Sequence, residues 1–356
     1  MPAATTHHAV RTILRDKRFG RERPKDLQSA VPDHLAPFWA IEQHSMLDAE
    51  PPRHTRLRAQ VLRAFTSRRI AGFEPELQIL CDALIDQFPD TPFDLLAAYC
   101  TPIPVIIIAR LLGVPEDDAN HLLRWSHAMV AMYQANRTKM IEDRAAQAAS
   151  EFHAYLREQI AKKRSKPGVD LLSTLITAAA DGAILSEDEL IGTCVLLLNA
   201  GHEATVHSLG NGVAILAGHP DLAQLLLPES IDGTVEELLR IDPPLHVFTR
   251  FAYEDVSMFG HSFQRGDEVA LLLASANRDA AIWPDPDTFL PARPVQTHQS
   301  FGGGLHFCVG APLARLEMKV ALKQLFSRSP DLRLAATPRF ADTYHFHGLS
   351  ELMVQT

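Results

Sequence analysis

The chain has 356 residues, 46% hydrophobic and 22% charged, the balance of an ordinary globular protein rather than a disordered, fibrous or membrane-spanning one. Its net charge of −9 argues against nucleic acid as a general partner. Four widely spaced cysteines (Cys81, Cys100, Cys194 and Cys308) make no disulfide framework, and the most apolar run, Ile103–Val114, is too short to cross a bilayer and contains Arg110.

A cytoplasmic location is therefore expected, with no membrane contact, and the N-terminus carries no signal-peptide pattern. Helical periodicity dominates the first half. Ala9–Arg15 reads as a short helix closed by the turn-like Asp16–Gly20. Pro51-Pro52 introduces an amphipathic helix over Arg53–Phe65. Helical patterning continues over Phe73–Phe88, Pro92–Leu112, Asp117–Ala135, Asn136–Lys163 and Gly168–Ala180. Ser186-Glu187-Asp188-Glu189 is a capping box, after which helical spacing runs to about His219. About 32 residues at 1.5 Å each would span about 48 Å, enough to cross a domain. Asn199-Ala200-Gly201-His202-Glu203 puts polar groups in the middle of this run, as either a solvated face or a functional notch. Another helix starts near Thr234. Strand signals are confined to Val247–Ala252, Val256–Phe259 and Glu268–Leu273, with a hairpin expected from Leu332–Leu334 and Leu352–Gln355. A helix over Ala311–Phe326 follows Cys308. The expected class is mainly α with small β-sheets, in one domain over residues 1–356 without long linkers.

Phe301-Gly302-Gly303-Gly304-Leu305-His306-Phe307-Cys308-Val309-Gly310 is the most informative stretch. A thiolate is a strong ligand for a soft or redox-active metal, and a helix N-terminus just downstream favours the negative charge. One cysteine cannot close a zinc site, and no second cysteine lies nearby. A lone thiolate flanked by glycine suits the axial position of haem iron; a buried, inert cysteine is the bland alternative.

The pattern Phe-x-x-Gly-x-x-x-Cys-x-Gly resembles the haem-binding loop of the cytochrome P-450 family. The resemblance runs from about Ala9 to the end and includes Ala276-Asn277-Arg278-Asp279, Pro284-Asp285-Pro286 and Ala311–Glu317. It implies a fold with a long central helix over haem b (iron protoporphyrin IX), ligated by Cys308, with Phe301, Gly302 and Gly310 shaping the loop and Ala200 beside the cofactor. Glu237, Arg240 and Arg293 match the family's Glu-x-x-Arg pair and later basic residue, a structural clamp. His54 and Arg58, four apart on one helix face, match propionate partners, as do Arg250 and His306. Gly201 and Glu203 match the oxygen-binding groove, where Gly201 would let the helix open and Glu203 would relay protons. Ala204 stands where the family has threonine, with Thr205 one residue on and turned about 100° away. Bacterial relatives carry several tens of residues before the equivalent of Thr6, so the chain is N-terminally short by comparison.

The implied reaction is monooxygenation: one atom of O2 enters a small or mid-sized apolar organic substrate. Electrons would come from a separate ferredoxin-type donor docking near Cys308, on the side with Arg53, Arg56, Arg58, Arg63 and Arg315. Leu197, Leu198, Leu245, His246, Val247 and Phe346–Leu349, His347 among them, are candidates for the substrate pocket. Ala204 leaves open a peroxide-using or isomerase-like enzyme, or a non-catalytic haem- or ligand-binding protein.

Overall fold

The computed structural model describes residues 1–134, 136–178, 185–294, 296–342 and 345–356. These fall into two units, one of Met1–Pro24, Ile70–Ile103 and Glu203–Thr356, the other of Lys25–Arg69 and Pro104–His202.

Among the described residues, all the β-structure falls in the first unit. Its largest sheet has four strands in the order Ala3–Ala4, Glu268–Leu272, Val247–Ala252 and Phe19–Gly20. The first pair is parallel and the others antiparallel, with Arg250 opposite Val269. Alternation along Val247–Ala252 buries Arg250 and Ala252, and Val10, Ile13, Phe19, Leu271 and Leu273 fill the core behind this sheet. Thr6 caps the helix His7–Ile13 by accepting from the Ala9 amide. A three-stranded sheet joins Phe93–Asp94, Met353–Gln355 and Arg333–Leu334. The expected pairing of the C-terminal segments therefore exists, as part of a larger sheet. The helices Glu74–Ile85 and Ala311–Arg328 pack together, and Tyr99 ties its hydroxyl to the Ala321 carbonyl at 2.8 Å.

The second unit is helical. The 27-residue helix Lys139–Ser165 packs on Ala119–Val130, with Trp125 stacked on Phe152 at 5.3 Å. Arg53–Ala64 packs on Leu171–Ala178. The long helix, Glu187–Leu216, has 30 residues and passes through the division between His202 and Glu203. Its capping box forms as expected: the Ser186 amide donates to Glu189 Oε2 (3.0 Å), and the Glu189 amide to Ser186 Oγ (3.1 Å).

Several expected boundaries move. The helix expected over Pro92–Leu112 is a short strand, a π-helical turn at Leu96–Cys100 and then a helix at Pro102–Leu112. Asp94 causes the division, because its Oδ1 accepts from both Leu96 and Leu352 amides and holds this stretch to the C-terminal sheet. The helix expected from Asn136 starts at Lys139, where Thr138 accepts from the Ile141 amide. Ala36–Glu42, Leu273–Ala276 and the strand His261–Phe263 were not expected. The expected helix ends at Ala135 and Ala180 lie outside the described residues.

Candidate active site

The Cys308 loop is built by two backbone constraints. The Cys308 amide donates to the Phe301 carbonyl at 3.0 Å, closing the loop on itself. Gly302 and Gly304 have φ of +68° and +66°, a region costly for residues with a Cβ. A Cβ on Gly302 would sit 2.9 Å from the Phe248 ring, and one on Gly304 2.2 Å from the Leu14 carbonyl oxygen. These glycines therefore answer to the protein's own chain as well as to any ligand. Gly310 has ordinary helical geometry, and a Cβ there would lie 3.8 Å from Cys308 Sγ.

The four thiols differ in a way that selects one of them as a metal donor. None is in a disulfide; Cys81, Cys100 and Cys194 are buried and Cys308 is half-buried. Burial pushes Cys81 and Cys194 up to about 12 and Cys100 higher still, so these three stay protonated at neutral pH. Cys308 stands at the entrance to the helix Ala311–Arg328. The donor set thus fits a group held by one thiolate.

Glu237, Arg240 and Arg293 meet in one buried network. Arg240 holds Glu237 with two hydrogen bonds, of 2.7 and 2.8 Å, and Arg293 Nε donates to Glu237 Oε1 at 3.0 Å. The Leu290 amide also donates to that oxygen. Burial opposes ionisation of Glu237, but Arg240, Leu290 and Arg293 outweigh it and hold the carboxyl below its ordinary value. From Arg240 the network continues to the loop. Its Nη1 donates to the Asn277 carbonyl (2.9 Å). The Asn277 side chain in turn holds Ser300 Oγ (2.8 Å) and the Gln299 amide (2.6 Å), just before Phe301.

A second network, not foreseen, holds Phe301. Arg315 lies 4.5 Å over its ring and pairs bidentately with Glu236, which also faces His298 at 3.2 Å. Burial works against the Glu236 charge, yet Arg315 and His298 bring its carboxyl down to about 2. No local pattern signalled this network, because Glu236 and Arg315 lie 79 residues apart. Arg315 is accordingly not an open docking cation, and Arg56 is likewise paired, with Glu189.

Arg250 is 2% exposed, with Nη1 donating to the Thr249 carbonyl at 2.7 Å, and His306, half-buried, ends an otherwise exposed 3-10 turn in the same unit. In the other unit His54 is buried and Arg58 half-buried, four residues apart on one helix.

Along the long helix, residues 190–213 are buried except Ala200, Gly201, Glu203, Ala204 and His207. At 3.6 residues per turn these five form one accessible stripe, a cradle on an otherwise buried helix. Glu203 Oε2 lies 3.4 Å from His207 Nε2. Two expectations are corrected here, those for Gly201 and for Leu197 and Leu198. Gly201 does not open the helix, which is continuous; a Cβ there would stand 2.6 Å from Cδ1 of Ile108, the movable end of that side chain. Thr205 is buried and hydrogen-bonded to Glu317, because one residue of helix turns it off the Ala204 stripe. Leu197 and Leu198 are buried, Leu198 at 0% exposure, and belong to the core rather than a pocket wall. Leu245, His246, Val247 and His347 are half-buried.

Comparison with known proteins follows this geometry. The Cytochrome P-450 family profile matches residues 24–231 and 229–329. The chain is 40% identical over 339 residues to the cytochrome P-450 monooxygenase PikC of Streptomyces venezuelae, covering 92% of this chain and 78% of that protein. It is 41% identical to the vitamin D(3) 25-hydroxylase of Pseudonocardia autotrophica, covering 93% and 81%. Among solved structures, P450BioI in complex with an acyl carrier protein ligated to hexadec-9Z-enoic acid superposes with a TM-score of 0.93 at 33% identity, covering 99% of this chain and 91% of that one. A monooxygenase-type enzyme is therefore what the fold and the matches define. The chain belongs to the cytochrome P-450 family, whose members bind haem b through a cysteine thiolate. No helix among the described residues is long and apolar enough to cross a membrane.

Proposed function

We propose that Cys308 is the thiolate that holds haem b, and that the enzyme uses it to insert one oxygen atom of O2 into a small or mid-sized apolar organic substrate. The observation that carries this reading is the contrast among the thiols: three are buried and kept protonated, while Cys308 alone is half-buried, on a closed loop tied to a buried ion-pair network. When bound, the haem supplies oxygen activation, and a thiolate ligand favours O–O cleavage. Arg250, His306, His54 and Arg58 would hold its propionates. Glu237, Arg240 and Arg293 are structural, fixing the loop. Ala200, Gly201 and Ala204 line the face toward the reaction, and Glu203, beside His207, moves protons. Leu245 and Val247 contact the substrate. A ferredoxin-type donor in the cytoplasm supplies electrons, docking through cations such as the exposed Arg63. Relatives named as a vitamin D(3) 25-hydroxylase and a mycinamicin IV hydroxylase/epoxidase support oxygenation of an organic substrate.

The test is the absorption spectrum of the reduced, carbon monoxide-bound protein. A strongly red-shifted Soret band is expected, and it should vanish in a folded Cys308→Ala protein. Retention of the band in that variant overturns the assignment. A second reading, peroxide-driven chemistry, is favoured by Ala204 and by the engagement of Thr205 with Glu317. Turnover with peroxide and none with a ferredoxin system would select it.

A further inference from the structure

Asp242, His246 and His347 bring three metal-binding donors together. One carboxylate oxygen and one ring nitrogen from each histidine all lie within 4.8 Å of one another. Asp242 Oδ1 is 2.9 Å from His347 Nε2. The rings of His246 and His347 stack at 4.2 Å, and Phe340 stacks on His347 at 4.2 Å.

Three features prepare this cluster for a cation. First, its backbone is pinned: the His347 amide donates to the Pro244 carbonyl (2.8 Å), and the His246 carbonyl accepts from the Leu273 amide (2.7 Å). Second, Asp242 is the C-cap of the helix Ile231–Ile241, where the negative end of the helix dipole repels a carboxylate and favours a positive charge. Third, Arg278, a cation close enough to act on these donors, is held elsewhere, by the Ile241 carbonyl at 3.1 and 2.6 Å.

We propose that Asp242, His246 and His347 form a zinc site with two imidazoles, one carboxylate and a fourth position open to water. Zinc accepts this donor set in tetrahedral geometry, and at bond lengths of about 2.1 Å its ligand atoms stand roughly 3.4 Å apart. The donors reach that spacing by closing in by at most roughly 1.4 Å, and the stacked His246 and His347 rings must turn out of their stack so that both in-plane lone pairs face one ion, while the backbones stay pinned. Zinc takes the place of the contact between Asp242 and His347, with the His347 proton on the nitrogen that does not bind metal.

The experiment counts zinc on the haem-loaded protein after chelator treatment, by equilibrium dialysis against zinc chloride and elemental analysis. The parent should hold one zinc more per chain than His246→Gln and His347→Gln, whose haem content should match it. Asp242→Asn should weaken this zinc at least tenfold. Substitution of the exposed His261 by Gln should leave the count unchanged. The proposal is overturned if His246→Gln and His347→Gln bind as much zinc as the parent, or if His261→Gln loses as much as they do.

Discussion

The Cys308 loop and the 200–207 stripe of the long helix are held by different forces. The loop hangs on charged and polar contacts that run from Glu237 through Arg240 and Asn277 to Ser300, in surroundings where water cannot replace a lost partner. The stripe rests on packing and local contacts, such as Gly201 against Ile108 and Glu203 beside His207. Damage to a buried polar network is expensive because the surviving partner keeps its desolvation penalty. Damage to a packed, half-exposed helix face is graded by volume and relaxes locally. The loop is therefore expected to be stiff and intolerant, and the stripe to be tolerant and open to functional variation.

Glu237→Ala tests the stiff side and should have the largest effect. It leaves Arg240, 1% exposed, without its carboxylate, and the cost should be about 3–5 kcal/mol with poor haem retention. Urea unfolding and haem content measure it; a loss under about 1 kcal/mol would break the contrast. Glu317→Gln comes next. Burial raises the Glu317 carboxyl from 4.5 to about 8, against the hydrogen bond from Thr205. Between those values the folded protein keeps a proton that the unfolded chain releases, so stability falls as pH rises through this window. Glutamine has no such proton to lose. The parent should lose a few kcal/mol relative to Glu317→Gln between about pH 5 and pH 8. Parallel pH profiles for the two proteins would refute this. Gly201→Ala is smaller. Helix propensity gains about 1 kcal/mol, and the new methyl meets at 2.6 Å only Cδ1, the movable end of Ile108, so stability should change by less than about 1 kcal/mol. A loss above about 2 kcal/mol on urea unfolding would break this reading.

What could be read from the sequence was what is local. The capping box at Ser186–Glu189 needs only four residues and forms as expected. Glu237 and Arg240 share a helix face at a spacing of three, and the loop glycines stand next to the cysteine they shape. What stayed hidden joins distant segments or depends on direction. Glu236 finds Arg315 79 residues later, and Asp94 reaches Leu352 across 258 residues. Helical periodicity over Pro92–Leu112 said nothing of that second pairing, so the division there was missed. Leu198 looked like a pocket residue because it is apolar and near the notch, but burial is set by the facing side chains. The family pattern pointed to Ala204 as a departure, while the destination of the Thr205 hydroxyl, Glu317, came only from the fold.

Ala204→Thr is the mildest perturbation of the stripe and the sharpest probe of what the stripe does. Ala204 is half-buried on a helix, so a β-branched residue should cost only about 0.5 kcal/mol. The hydroxyl would stand on the accessible face, one turn from both Gly201 and His207, whereas that of Thr205 is turned away. If proton delivery at this face lacks a hydroxyl, the variant should yield more product per reducing equivalent from a ferredoxin system, and peroxide-driven turnover should change less. Unchanged melting with improved coupling would separate a chemical role from a structural one. Unchanged coupling would mean that protons arrive without a side-chain hydroxyl at this position, with Glu203 and His207 as the groups already there to carry them.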